Sequence, residues 1–194
     1  MYINIEEAKG LCFSDCQTCT TSCCDGGRFI VAPLVMEDFK SVYEKFLIAF
    51  ALIDDKLRVV MLISNRNKPC IYYKDKRCTI YEERPPACVL YPYTPYFDEV
   101  LIDTACEAVG DVGLSLTQDA DKLLEKVHPS FYHKRLEGFS SKLEVTQEFL
   151  DNLDNNFEAI VDIEGITLMS YVGKEDNEFL KMHKASLVFA SEWN

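Results

Sequence analysis

The chain of 194 residues is 48% hydrophobic and 12% aromatic, which suits one globular domain with an appended lobe and a real core. Its formal charge of −12, from 20 basic and 32 acidic side chains, disfavours a nucleic-acid backbone or an anionic membrane surface as the main partner. Nine cysteines all lie between Cys12 and Cys106, and the odd count excludes complete disulfide pairing within one chain.

Taken in order, the opening Met1-Tyr2-Ile3-Asn4-Ile5-Glu6-Glu7 has neither the basic start nor the apolar stretch of a secretory signal. Residues 12–27 read as an irregular loop bearing Cys, Thr and Gly, and Arg28–Val31 as a short strand. Phe39, Val42, Tyr43, Phe46 and Leu47 recur at three- to four-residue spacing, which predicts a helix from Met36 to about Leu52. The longest apolar run, Phe46 to Ile53, is well short of the ~20 residues a membrane helix needs. Leu57–Ser64 is β-branched and apolar and reads as a strand. Cys70–Tyr73 and Cys78–Tyr81 flank the polar Lys74-Asp75-Lys76-Arg77 and predict a hairpin, which Arg84-Pro85-Pro86 then interrupts.

Two helices are expected over 117–127 and 130–153, divided at His128-Pro129, where proline suits a first turn. Strands are expected at Ala159–Ile163 and Thr167–Val172 around Glu164-Gly165, then a short helix near 175–184 and an apolar tail Leu187–Ala190. The fold class is α+β: a small irregular cysteine-rich metal-binding core with helices and short strands. Residues 1–106 sum to −3 and residues 107–194 to −9. The charge and cysteine boundaries coincide near Gly110-Asp111-Val112-Gly113. They predict a metal-binding region over 1–110 and an acidic Cys-free region over 111–194 packed on it.

The absence of a visible signal leads to a cytoplasmic expectation, where thiols stay reduced and clustered cysteines point to metal or redox chemistry. The first cluster, Cys12-x3-Cys16-x2-Cys19-x3-Cys23-Cys24, packs its thiols into one loop, as ferredoxin-type iron–sulfur loops do, though at no standard ferredoxin spacing. Thiolates also bind zinc strongly. Adjacent Cys23 and Cys24 point in different directions in most backbone conformations, so two centres, or one ligand role and one packing role, suit them better than one tetrahedron. The second group is Cys70, Cys78, Cys88 and Cys106. Setting Cys12 aside leaves eight thiols, arithmetically enough for two four-cysteine centres. Taken singly, Cys12 or Cys106 reads equally well as a small buried hydrophobe.

These residues resemble a known family. Cys16-x2-Cys19-x3-Cys23-Cys24 followed by Gly26-Gly27-Arg28 is similar to the opening of the CxxCxxCC family of zinc- or iron-chelating domains. Pro69-Cys70, then Cys78-Thr79-Ile80-Tyr81-Glu82-Glu83-Arg84-Pro85, then Cys88-Val89-Leu90-Tyr91-Pro92 resemble the signature of its second half. The likeness covers about residues 12–106. It departs at Val89, where the family often has arginine, and by one extra residue between Cys19 and Cys23. Glu107 also follows Cys106 where proline is common, which leaves the role of Cys106 less defined.

The resemblance implies a bacterial metal-binding protein, while the missing signal, the short apolar runs and the net charge lead to the expectation that it is cytoplasmic, without membrane insertion or a nucleic-acid partner. Its ligands would be Cys16, Cys19, Cys23, Cys24, Cys70, Cys78, Cys88 and Cys106, holding an iron–sulfur cluster or Zn2+. A protein partner would fall to the acidic region. The family includes flagellin lysine N-methylase, a longer protein similar in the cysteine region. By that analogy alone the implied alternative is a protein-lysine N-methyltransferase-like enzyme. No Gly-rich fingerprint for S-adenosylmethionine follows a strand here. A third alternative is a thiol redox or metal-handling protein using vicinal Cys23-Cys24 as an exchangeable pair.

Other features have plainer readings. His128 and His133 lack the glutamate of a zincin motif and read as structural or solvated. Arg84 suits a donor to cluster sulfurs or a surface pair with Glu82 or Glu83. Tyr72, Tyr73, Tyr81, Tyr91, Tyr93, Tyr96 and Phe97 read as a small core shielding the metal. Asp151-Asn152-Leu153-Asp154-Asn155-Asn156 lacks the glycine and terminal glutamate of a calcium loop and reads as a solvated helix end.

Overall fold

The computed structural model describes residues 1–14, 23–26, 28–65, 67–96, 99–117 and 139–193. In chain order the strands and α-helices begin with β1 (Tyr2–Asn4), β2 (Cys12–Phe13), β3 (Val31–Pro33), α1 (Phe39–Val42), β4 (Ile48–Ile53) and β5 (Lys56–Leu62). They continue with β6 (Tyr73–Lys74), β7 (Arg77–Cys78), α2 (Pro86–Leu90), β8 (Tyr93–Tyr96), β9 (Glu99–Asp103), β10 (Val109–Gly110) and β11 (Leu114–Ser115). The last are α3 (Phe139–Asp151), β12 (Phe157–Ile163), β13 (Ile166–Tyr171) and α4 (Glu178–Ser186), followed by a 3-10 segment at Leu187–Trp193. Every strand pair among the described residues is antiparallel, and the class is α+β. The chain groups into two compact units, 1–22 with 82–141 and 23–81 with 142–194.

The second unit is built on the five-stranded sheet β12-β13-β4-β5-β3. Its centre corrects the helix expected from Met36 to Leu52. A 3-10 turn at Met36–Asp38 leads into the single turn of α1, and Ile48–Ile53 is a strand paired from Ile48↔Met61 to Ile53↔Lys56. The physical reason is burial on both faces. Ile48, Ala49, Phe50 and Ala51 are all 0% exposed, and a short apolar run of that kind has no period to separate helix from strand. Leu47, Ala49, Ala51, Val60, Leu62, Ile163, Leu168 and Trp193 form one apolar cluster of this unit. Phe50 meets Phe157 and His183 edge-on, with ring centroids 5.3 Å and 4.8 Å apart.

Three hairpins of this unit turn through paired residues of positive φ: Asp54-Asp55, Asp75-Lys76 and Glu164-Gly165. Two-residue turns of that hand match the right-handed twist of the flanking strands. The hairpin read around Lys74–Arg77 is present but shorter than expected, as Tyr73–Lys74 against Arg77–Cys78. The strand read at Arg28–Val31 lies slightly later, at Val31–Pro33. The C-terminal hairpin and helix stand close to where the sequence places them, and Asn177 caps α4 by accepting from the amides of Phe179 and Leu180.

Helix α3 docks within this unit. Thr146 Oγ1 accepts from the Met36 amide at 3.2 Å, Gln147 Oε1 accepts from Arg58 at 2.9 Å, and Lys142 pairs with Glu37 at 3.0 Å. The expected helix over 117–127 falls, apart from residue 117, outside the described residues. The one over 130–153 is described from Phe139.

The first unit holds two three-stranded sheets, β1-β9-β8 and β10-β2-β11. The pair β8–β9 was not legible in the sequence. Its core gathers Ala8, Phe13, Leu90, Tyr93, Ile102, Cys106, Ala108 and Leu116. Pro86 opens α2 at a first-turn position, where its missing N–H costs nothing, so the Arg84-Pro85-Pro86 break is two residues wide rather than three. Among the described residues no helix is long and apolar enough to cross a membrane.

Candidate metal centre

The β3–β5 ladder ends at Val31↔Leu62, but the two chains continue side by side. The carbonyl of Ile30 accepts from the amides of Ile63 and Ser64 at 2.8 Å and 3.4 Å, and the Ser64 hydroxyl donates to the carbonyl of Phe29. Asn65 and Lys68 then bridge each other, amide to carbonyl, at 3.0 Å in both directions. Asn65 Oδ1 closes this turn by accepting from the amides of Asn67 and Lys68 at 2.9 Å and 2.6 Å. Beyond it, the amide of Cys70 donates to the carbonyl of Cys24 at 2.8 Å. A backbone bond beyond the ladder therefore joins a cysteine of the first cluster to a cysteine of the second.

Cys78 joins the same neighbourhood through the β6–β7 hairpin. The carbonyl of Cys70 accepts from the Tyr73 amide at 2.8 Å, and Tyr73 is the register partner of Cys78. Thr79 braces the hairpin, its amide and hydroxyl both donating to the carbonyl of Tyr72 at 2.9 Å and 3.1 Å. Tyr72 anchors it, with its hydroxyl donating to the Lys45 carbonyl at 3.1 Å and its ring 5.2 Å from that of Phe46. Burial, and then the electrostatic influence of nearby Cys70, raises the Tyr72 phenol above its ordinary pKa. Cys70 is buried, whereas Cys23, Cys24 and Cys78 are half-buried.

The remaining described cysteines belong to the first unit. Cys12 sits on β2 opposite Gly110 and Ser115. Cys88 lies in α2, its amide donating to the Pro85 carbonyl at 2.9 Å. Cys106 is buried beside Phe13, Leu90 and Tyr93, its amide 3.2 Å from the Asp103 carbonyl. Cys16 and Cys19 lie outside the described residues.

The second unit thus contains Cys23, Cys24, Cys70 and Cys78, and the first contains Cys12, Cys88 and Cys106. Among the described residues no three of His, Cys, Asp or Glu stand as a group able to hold one ion. The donor chemistry nonetheless fits zinc or iron, both of which take thiolate sulfur.

The aromatics flanking the second cysteine group divide between the units. Tyr93 is buried in the core of the first, with its hydroxyl donating to the Leu116 carbonyl at 2.8 Å. Tyr91 donates to Asp103 there at 2.9 Å, and Tyr72 serves the second unit as above. Phe97 lies outside the described residues, as do His128 and His133. The residues the sequence reading missed are Asn65 and Lys68. An Asn two residues before another Asn was the one available signal, because Asn favours turns that its own side chain closes.

Residues 15–107 match the family model CxxCxxCC, described as a "putative zinc- or iron-chelating domain". No curated protein and no solved structure matches the chain. The matched span holds eight of the nine cysteines and leaves out Cys12. Residues 15–107 are thus similar to the CxxCxxCC domain, and that likeness supports zinc or iron binding.

Proposed function

We propose that the protein is a thiolate metal-binding module whose centre is an iron–sulfur cluster, with zinc as the competing occupant. The ligands are drawn from Cys16, Cys19, Cys23, Cys24, Cys70, Cys78, Cys88 and Cys106, with Cys12 the spare. The observation that carries this reading is the 2.8 Å hydrogen bond from Cys70 to Cys24, which ties the two halves of the signature together. A loop dense in thiols favours iron, because clusters take several sulfur ligands from one short run. Such a cluster would supply one-electron chemistry, whereas a four-thiolate zinc site would be closed and structural.

The protein's own contribution within the second unit is to hold Cys24 and Cys70 through a backbone bond and to keep Cys23, Cys24, Cys70 and Cys78 partly or fully shielded. Anaerobic purification followed by elemental analysis and a visible spectrum tests the reading. Iron with matching sulfide and a broad visible absorption supports the cluster. A colourless protein with stoichiometric zinc replaces the cluster by zinc, and a chain with neither metal overturns thiolate binding altogether.

A further inference from the structure

We propose that Gly26 and the Asn65–Lys68 turn form a positioning device for the thiol centre, seating the Cys23-Cys24 pair beside Cys70. The inference rests on the thiolate-centre reading above. Gly26 is buried and holds φ at 96°, in the left-handed region that side chains other than glycine's rarely adopt. A Cβ built there would stand 2.6 Å from the carbonyl oxygen of Asn65 and 3.4 Å from that of Lys68. Both atoms are backbone, and both belong to a turn locked by two mutual amide–carbonyl bonds and by the Asn65 side chain. For the carbonyls to yield, these bonds at Asn65 and Lys68 must give way.

The placement explains why the glycine matters to the cysteines. Gly26 lies two residues after Cys24, and the turn ends two residues before Cys70. The close approach of glycine to turn and the bond between the two cysteines are thus successive contacts along the same pair of chain segments. Pushing the glycine off the turn withdraws the Cys24 carbonyl from the Cys70 amide. Neither Gly26 nor Asn65 donates an electron pair to the metal; they act through where they hold Cys24.

Full-length Gly26→Ala, Asn65→Ala and Asn65→Asp test this beside the wild type. Cobalt(II) is titrated into each metal-free protein, with affinity read from the thiolate-to-metal absorption, and zinc and iron per chain are measured after purification. Gly26→Ala weakens cobalt binding at least about tenfold. Asn65→Ala weakens it less, and Asn65→Asp retains wild-type affinity because a carboxylate oxygen still accepts from the two amides.

The melting temperature of metal-free Asn65→Ala stays near that of metal-free wild type, which separates positioning from general stability. Wild-type cobalt affinity in both Gly26→Ala and Asn65→Ala overturns the inference, as does an Asn65→Asp as weak as Asn65→Ala. Should Gly26→Ala fail to fold, the two Asn65 variants decide alone. A wild type that takes up no metal refutes the thiolate-centre reading itself, a distinct outcome.

Discussion

His183 donates from Nδ1 to the backbone carbonyl of Ile48 at 2.8 Å, although the two residues are 135 positions apart. Its other nitrogen, Nε2, accepts from the Tyr171 amide at 3.2 Å and lies 3.3 Å from the Ser170 hydroxyl. The partners define the tautomer, since a carbonyl needs a donor and an amide needs an acceptor. Beside it, Ser186 Oγ accepts from the Ile48 amide at 3.0 Å. Strands β13 and β4 share a single register pair, Met169↔Phe50, so the imidazole of α4 joins them through backbone groups that the ladder leaves over.

That arrangement predicts an acid sensitivity. Burial pushes the His183 pKa from 6.5 down to about 4, and Lys184 adds to the shift while the Ile48 carbonyl opposes it. Between those values the unfolded chain takes up a proton that the folded chain refuses, so stability falls as pH falls. The contribution is intact above pH 6.5 and declines by about 3 kcal/mol on reaching pH 4. Denaturant unfolding at stepped pH checks it. His183→Gln should flatten the slope in that window relative to wild type, and an unchanged slope refutes the account.

Phe50 is the second structural wager. It is 0% exposed and packs edge-on against both Phe157 and His183. Phe50→Ala removes those contacts and leaves a cavity, a loss of about 3–5 kcal/mol. A fall in the urea midpoint at constant slope, measured without metal, is the expected signature.

The C-terminal hairpin tests the turn chemistry. Gly165 has φ of 82° and open space around its Cα, so a substitution meets backbone strain and no clash. Gly165→Ala should cost about 1 kcal/mol, and Gly165→Asn clearly less, since Asn tolerates left-handed geometry. Equal losses from both would point to something other than φ.

Replacing ligands is the direct test of the centre. Cys78→Ser and Cys16→Ser should each reduce metal affinity by at least about tenfold and lower solubility, because coordination energy is also folding energy. Cys12→Ser should keep wild-type metal content. Full metal in both Cys78→Ser and Cys16→Ser would remove them from the ligand set.

The parts of the fold legible in the sequence are those whose signal is local. Glu164-Gly165 between β-branched runs reads directly as a hairpin, and the cysteine spacing with its Arg84-Pro85 marker leads to the family that the match over 15–107 bears out. The evidence for a strand at Ile48–Ala51 is tertiary: it lies in the pairing with β5 and β13 on its two edges, while both faces are buried. The Asn65–Lys68 turn escaped notice for a similar reason. Its importance comes from Gly26, 39 residues earlier, pressed against its carbonyls. Charge summed along the chain does not speak to contact, and each compact unit draws on both the early and the late parts of the sequence.

The order of those parts has a temporal consequence. Strand β3, strand β5 and the Cys24–Cys70 bond are complete within residues 23–81, whereas the partner of β4 on its other side, β13, begins at Ile166. At about 5–20 residues per second, a ribosome needs on the order of 4–20 s to make the intervening chain. Throughout that interval β4 has β5 on one edge, while the strand that pairs with its other edge is still to be made. Metal arriving in that interval would meet Cys24 and Cys70 on segments already made, before α4 brings His183 to the Ile48 carbonyl.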